Sequence, residues 1–420
     1  MSIRRQGLSI GEGVEVLIRL IMLVRTADRI ANVEEYYFSR KLAEVRALDS
    51  PELRVINLGI GSPDQAPPPS AINALIQSAQ NPAHHGYQSY KGIPAFRNAI
   101  AGFYRKVYAV TVDPETMILP LIGSKEGIMH ISMAFVNEGD EVLVPNPGYP
   151  TYSSVTKLVG GTIRHYDLQE DTNWGIDIDR LRKEDLSKVK VMWVNFPHMP
   201  TGRVATKEEL KELIDLAREH QFLIVNDNPY SLILNDQPLS ILGLEEAGDV
   251  ALELNSLSKS HNMAGWRLGW VTGRREYIEA VLRVKSNMDS GMFLGLQHAA
   301  AEALNSGTAW FSQVNDLYAR RKTVAVKILD ALDCTYSGRQ AGLFVWAKAG
   351  DRIADIEKWI DEILYETKVF ITPGFIFGDA GRRYIRISLC STEEALTEAL
   401  RRIESFLEKR GQSTIKSAIR

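Results

Sequence analysis

The sequence predicts an α/β protein: a large domain with a mostly parallel sheet flanked by helices, and a smaller α+β domain beside it. Three observations carry this. From about residue 115, short β-branched apolar runs alternate with amphipathic stretches, as strands do with crossover helices. After about residue 310 the order changes to a long helical pattern, two further apolar runs and a terminal helix. Finally, 420 residues are more than one hydrophobic core usually organises, so two bodies are expected.

Taken in order, residues 1–66 read as an N-terminal arm that also forms part of the small domain. Residues 67–312 read as the large domain and 313–420 as the C-terminal small domain. The first boundary falls at Pro67-Pro68-Pro69, since proline continues neither a helix nor a sheet interior. Near the start, "VEVLIRLIMLV" (14–24) is interrupted by Glu15 and Arg19 and lacks a following small-residue cleavage site. It reads as an amphipathic helix or an extended start and not as a membrane span. The expected strands of the large domain are "DEVLVP" (140–145), "VKVMWVN" (189–195), "FLIVND" (222–227), "ALELNS" (251–256) and "LGWVTG" (268–273). Between the second and third, Thr206 and Glu209 form a capping box ahead of Leu210, Leu213, Ile214 and Ala217 at helical spacing. In the tail, "GLFVWAKA" (342–349) and "RRYIRISLC" (382–390) read as strands. Ser391 and Glu394 read as the cap of a last helix with Leu396, Ala399, Leu400, Ile403 and Leu407 on its apolar face.

Composition excludes several classes. A formal charge of −3 offers no basic surplus for a polyanion, and residues 1–56 show neither a basic balance nor a helix-turn-helix pattern, so no nucleic-acid partner is expected. There is no G-x-x-x-x-G-K-[ST] stretch, and Gly59-x-Gly61 lacks the third glycine of a dinucleotide loop. The eight histidines show no metal-ligand spacing, and His84-His85 reads as a loop pair, so no metal is expected. Cys334 and Cys390 stand far apart in apolar surroundings, which fits a reduced, cytoplasmic protein without a disulfide framework.

Ligands of α/β proteins gather at the carboxyl ends of parallel strands. After "MILPLI" comes Gly123-Ser124-Lys125-Glu126-Gly127 and an apolar helix. A glycine turn into a helix start presents free amides to a phosphate, although an ordinary capped helix would look the same. "FLIVND" ends in Asp227, followed by Tyr230; a carboxylate there needs a cation or donor. Lys259 sits in "NSLSKSHNMAGWRLGW" behind Ser256 and Ser258, with Arg267 eight residues on. A lysine near another cation in a partly desolvated site has a lowered pKa, and the neutral amine attacks carbonyls. Singly, each could be a structural ion pair.

In this order and combination, the chain resembles the fold-type I aminotransferases of class I/II, which use pyridoxal 5′-phosphate. The resemblance runs from "NLGIGSPDQAPP" (57–68) to "YIRISL" (384–389). It implies that Lys259 binds the cofactor covalently and carries the proton, that Asp227 keeps the ring nitrogen protonated, and that Tyr230 donates to the ring's 3-oxygen. Ser124, the Lys125 amide, Ser256 and Arg267 would hold the phosphate. Tyr149 in "PNPGYPTY" would stack on the ring. Arg386 in "IRIS" would clamp the substrate α-carboxylate with backbone near Gly59 and Gly61. Tyr87 would reach the neighbouring subunit's phosphate, which implies a homodimer with shared sites. The family's "NNPTG" stands here as His198-Met199-Pro200-Thr201-Gly202, so a thioether, which cannot donate, replaces an asparagine. Either Asn195 or His198 supplies the missing donor, or Tyr230 works alone.

The resemblance implies ping-pong transfer of an amino group between an L-amino acid and a 2-oxo acid. "KSNMDSGMFLGLQHAA" (285–300) has no arginine for a distal carboxylate, and its Met288, Met292, Phe293 and Leu294 favour a neutral side chain, if they do not simply pack. This segment and the lysine motif are most similar to the alanine and LL-diaminopimelate aminotransferase branches. A C–S β-lyase would need the same residues, and a catalytically silent regulator would normally add a DNA-binding domain.

Overall fold

The computed structural model describes residues 23–31, 33 and 37–418. The run 14–24 therefore lies outside the described residues except for Leu23 and Val24, which are exposed. Among the described residues no helix is long and apolar enough to cross a membrane.

A short strand, β1 (Ile56–Asn57), precedes the large sheet. That sheet is formed by β2 (Ile118–Leu121), β3 (Glu141–Asn146), β4 (Thr162–Gln169), β5 (Gly175–Ile176), β6 (Val189–Val194), β7 (Leu223–Asp227), β8 (Ala251–Ser256) and β9 (Gly269–Gly273), in spatial order β2-β9-β8-β7-β6-β3-β4-β5. Strands β4, β3, β6, β7 and β8 pair in parallel. Their apolar runs are nearly continuous because both faces are covered. Along β6, Val191 and Trp193 enter one core while Met192 and Val194 enter the other.

One strand departs from the parallel rule in a way that builds the site. β9 runs antiparallel to both β8 and β2. Its amino-terminal approach, carrying Arg267, thus arrives at the edge where β8 ends in Ser256. β2 runs with the parallel strands, so it delivers Gly123 and Ser124 to that same edge, beside Asp227 at the end of β7. β4 carries little strand signal because "TIRHYDLQ" lies near the sheet margin, with polar residues facing out.

The Lys207–His220 helix is capped as expected, with the Thr206 hydroxyl accepting from the Glu209 amide at 3.1 Å. Such a cap is worth about 1 kcal/mol. The last helix, Glu393–Ala418, corrects the expectation for its start. Thr392 is the cap, accepting from the Ala395 amide, because the Ser391 hydroxyl is drawn away to donate to the Asn57 carbonyl.

The smaller sheet contains β10 (Thr335–Tyr336), β11 (Phe344–Lys348), β13 (Thr372–Pro373) and β14 (Tyr384–Ser388), all antiparallel, while β12 (Val369–Phe370) pairs with β1. That last pairing ties the start of the chain to its C-terminal part. The helix Tyr37–Leu48 docks there too: Val45 packs on Leu364 and Phe370, and the buried Lys41 ammonium meets Asp361 at 2.6 Å and Glu44 at 2.9 Å. The helix Thr308–Ala331 runs unbroken through residue 312.

Candidate active site

Between the two sheets lies a cavity of about 650 Å³. From the large sheet it is lined by Ser124, Lys125, Tyr149, Asn195, Asp227, Tyr230, Ser256, Lys259 and Arg267, and from the remainder of the chain by Gly61, Phe344, Phe377 and Arg386. Most residues singled out in the sequence are thus brought together. Tyr87 is not among the lining residues; its side chain is 93% exposed.

Asp227 ends β7 fully buried. Its Oδ2 accepts from the Tyr152 hydroxyl at 2.9 Å, whereas Oδ1 has no donor among the described residues. Burial pushes its pKa up to about 6, against the downward pull of Tyr152 and the Lys259 charge. Tyr152 is held in turn by stacking on Trp193, with centroids 5.0 Å apart, and by the edge of Tyr149. Lys259 donates to the Gly61 carbonyl at 2.6 Å. Desolvation lowers its pKa, with Arg386 and Arg267 pushing the same way against the opposite influence of Cys390 and Asp227. The amine is therefore nearer to neutral than a surface lysine.

At the other end, the helix Ser124–Phe135 begins directly after Gly123, whose φ of +80° suits a residue without Cβ. A Cβ on Gly123 would also lie 2.2 Å from Arg267 Nη2, so the guanidinium rests against the helix start. Arg267 is itself anchored to the Ala264 carbonyl at 2.8 Å. The Ser256 hydroxyl donates to the Leu268 carbonyl at 3.0 Å and accepts from the Ser258 amide at the same distance. The helix start, the hydroxyls and an arginine together make an anion cradle.

Arg386 is sandwiched between the rings of Phe344 and Phe377, with its Cζ 3.8 and 4.6 Å from their centroids. Its Nη2 donates to the Gly59 carbonyl at 2.8 Å, Nη1 lies 3.2 Å from Met199 Sδ, and Nε has no partner among the described residues. Burial lowers its pKa to about 10, which leaves it charged at neutral pH. Gly59 and Gly61 thus serve this end of the site by their carbonyls, which hold Arg386 and Lys259.

The gap at Met199 is also clarified. Asn195 lines the cavity, but its amide donates to the Asp227 carbonyl and its oxygen accepts from the Met199 amide at 2.7 Å. His198 is not a lining residue; it lies 2.8 Å from Thr201 Oγ1, and burial lowers its pKa to about 3. Elsewhere, Glu126, His130 and Asp289 gather within 4.8 Å, but the buried Lys285 ammonium already takes both Asp289 oxygens, at 2.7 and 2.9 Å.

A family model, "Aminotransferase class I and II", matches residues 54–403. The chain belongs to the class I and II aminotransferases. This aminotransferase is 40% identical over 386 residues to an LL-diaminopimelate aminotransferase of Oleidesulfovibrio alaskensis, covering 90% of this chain and 98% of that one. It is 36% identical over 382 residues to the enzyme of that name from Aquifex aeolicus, covering 90% and 98%. Among solved structures it resembles substrate-bound BacF from Bacillus subtilis, at 33% identity and a TM-score of 0.86, over 91% of this chain and 98% of that one. An aspartate aminotransferase from Thermotoga maritima aligns at 29% identity with a TM-score of 0.84, over 91% and 100%.

The cofactor of this family is pyridoxal 5′-phosphate, and the residues present fit it. The donorless Oδ1 of Asp227 meets the need of a protonated ring nitrogen, the Gly123 and Arg267 cradle that of a phosphate, and Lys259 that of an aldehyde. Ser258, noted in the sequence ahead of Lys259 but given no role of its own, lines the cavity beside Ser256. Sequence reasoning passed over three lining or supporting groups. Tyr152, Phe344 and Phe377 had no signal in the sequence, because each acts through a partner distant in the chain.

Proposed function

We propose that Lys259, Asp227 and Tyr230 are the catalytic residues of ping-pong amino transfer between an L-amino acid with a largely apolar side chain and a 2-oxo acid. When bound, pyridoxal 5′-phosphate supplies a carbonyl carbon to which amines add and a cationic ring that accepts the electron pair left when a Cα–H bond breaks. Ser124, the Lys125 amide, Ser256, Ser258 and Arg267 hold the phosphate, and Tyr149 covers the ring. Asp227, as carboxylate, keeps the ring nitrogen protonated. Tyr230, which lines the cavity, is the hydroxyl donor to the ring's 3-oxygen, beside the one amide hydrogen that Asn195 does not spend on the Asp227 carbonyl. Arg386 fixes the substrate α-carboxylate, and Lys259 carries the proton to and from Cα.

The observation that carries this reading is the buried Asp227 oxygen without a donor, in one cavity with the desolvated Lys259 amine. The test follows the absorbance of the bound cofactor as single amino acids are added, without a 2-oxo acid. Active donors shift the band and release their 2-oxo acid stoichiometrically, and Lys259→Ala removes the response. Unimpaired turnover in Lys259→Ala would overturn the assignment. Release of pyruvate and ammonia from cystathionine, with no amino transfer, would favour the lyase reading. LL-diaminopimelate is the second donor to try, on the strength of the relatives' name, although among the described residues the only carboxylate that lines the cavity is Asp227.

We also infer a cytoplasmic homodimer with shared sites, in which residues 67–312 form the cofactor-binding domain and 313–418, with the described part of 1–66, the small domain beside it. In support, Tyr87, Tyr90, Met288 and Phe293 are exposed. Gly291 lies so near Gln88 that a Cβ would fall 2.4 Å from its carbonyl, which joins these residues in one patch. Both cysteines are buried free thiols.

A further inference from the structure

Five cations line the cavity: Lys125, Lys259, Arg267, Arg386 and Arg46. The function proposed above employs the charges of Lys259, Arg267 and Arg386 and the backbone amide of Lys125. Arg46 stands in the helix Tyr37–Leu48, and together with Phe38 and Leu42 it forms an i, i+4, i+8 row, so all three face one way. All three line the cavity. Phe38, Leu42, Ile60 and Ile376 make that side apolar, and Arg46 is exposed and forms no ion pair among the described residues. The helix is not loosely placed, because Lys41 on its other side is buried and bridged to Asp361 at 2.6 Å. A cation beyond an apolar wall, with Arg386 holding one carboxylate deeper in, suits a chain that carries a carboxylate at each end.

We propose that Arg46 is a specificity-determining residue that binds the distal carboxylate of a dicarboxylic substrate, a 2-oxo diacid or its amino acid, on one side of the exchange. The inference rests on the aminotransferase reading and supplies what residues 285–300 lack. One cavity then serves both halves of the exchange, as a ping-pong enzyme requires.

The test uses the holoenzyme with 2-oxoglutarate and pyruvate as alternative acceptors for one amino donor. Arg46→Gln lowers the ratio of kcat/KM for 2-oxoglutarate to that for pyruvate about tenfold, the effect of losing one charge-assisted hydrogen bond at a partly exposed site. Arg46→Glu lowers it further, and Arg46→Lys restores part of it. The wild-type ratio falls with added salt more steeply than that of Arg46→Gln. An unchanged ratio in Arg46→Gln and Arg46→Glu would overturn the proposal. A second readout does not depend on turnover: glutarate raises the thermal midpoint of the wild type more than pentanoate does, and Arg46→Gln removes the difference. If no amino acid reacts but this difference is seen, the aminotransferase reading fails and the Arg46 site stands. Equal responses to glutarate and pentanoate in the wild type would sink the Arg46 site alone.

Discussion

Two buried carboxylates lie on neighbouring strands, Asp227 on β7 and Glu253 on β8, and they are served in opposite ways. Glu253 is fully buried and accepts from four donors: the Tyr104 hydroxyl at 2.9 Å, the Ser240 hydroxyl at 2.9 Å, the Asn226 amide at 3.0 Å and the Ile241 amide at 3.1 Å. Asp227 has one donor, Tyr152, and one oxygen left without any. Desolvation raises the pKa of both, but only Glu253 has had its lost hydration replaced by the fold itself. A satisfied buried carboxylate is part of the scaffold, and a half-satisfied one at a cavity wall can still accept from a donor there.

Removing each charge separates these roles, and the largest effect falls on Asp227. Asp227→Asn lowers kcat by about 10²–10⁴-fold, because the ring nitrogen loses its anionic partner. The same change stabilises the cofactor-free protein at pH 8. The folded pKa of about 6 lies above the ordinary carboxylate value of 3.8. The stability this group contributes is therefore fully present below the ordinary value and is lost as pH rises through 6. Urea unfolding of the cofactor-free wild type should show this fall, on the order of 1–3 kcal/mol, and Asp227→Asn should flatten it. A variant both inactive and less stable at pH 8 would erase the contrast with Glu253.

Glu253→Ala has the next effect, on folding. It strands four buried donors and costs about 3–5 kcal/mol in urea unfolding, while kcat per folded molecule stays within a fewfold. Tyr152→Phe is the mildest of the three. It removes the single bond that lowers the Asp227 pKa, so the pH above which the cofactor binds tightly moves upward and affinity near neutrality falls about tenfold, measured by fluorescence titration. An unshifted pH midpoint would mean that Tyr152 only packs.

How far the sequence reveals such differences depends on the range of the interaction. Lys259, Asp227, Ser256 and Arg267 are legible because strand ends and a short serine-rich motif place them locally, and the comparisons bear out the α/β fold and the aminotransferase reading. The antiparallel course of β9 is not legible, since its apolar run reads the same in either direction. The four donors of Glu253 are drawn from positions 104 to 241, which no local pattern joins. Arg46 stayed hidden for the same reason: only the docking of its helix on Leu364 and Phe370 turns a surface arginine toward the cavity. The cap of the last helix was misplaced by one residue because Ser391 answers to Asn57, some 330 positions away.

The stretch Gly59-Ile60-Gly61 holds the guanidinium of Arg386 by one carbonyl and the amine of Lys259 by another. Two peptide units separate these carbonyls, and two units span at most about 7 Å. The tripeptide is therefore a gauge. It holds the guanidinium and the amine at a separation that the backbone alone determines, whatever the side chains around them do. Glycine is needed at both of its ends, because a Cβ on Gly59 would meet Phe370 at 2.5 Å and one on Gly61 would meet Phe344 at 2.2 Å. Enlarging either end would displace both working groups at once, so the two are inherited as a single measured length.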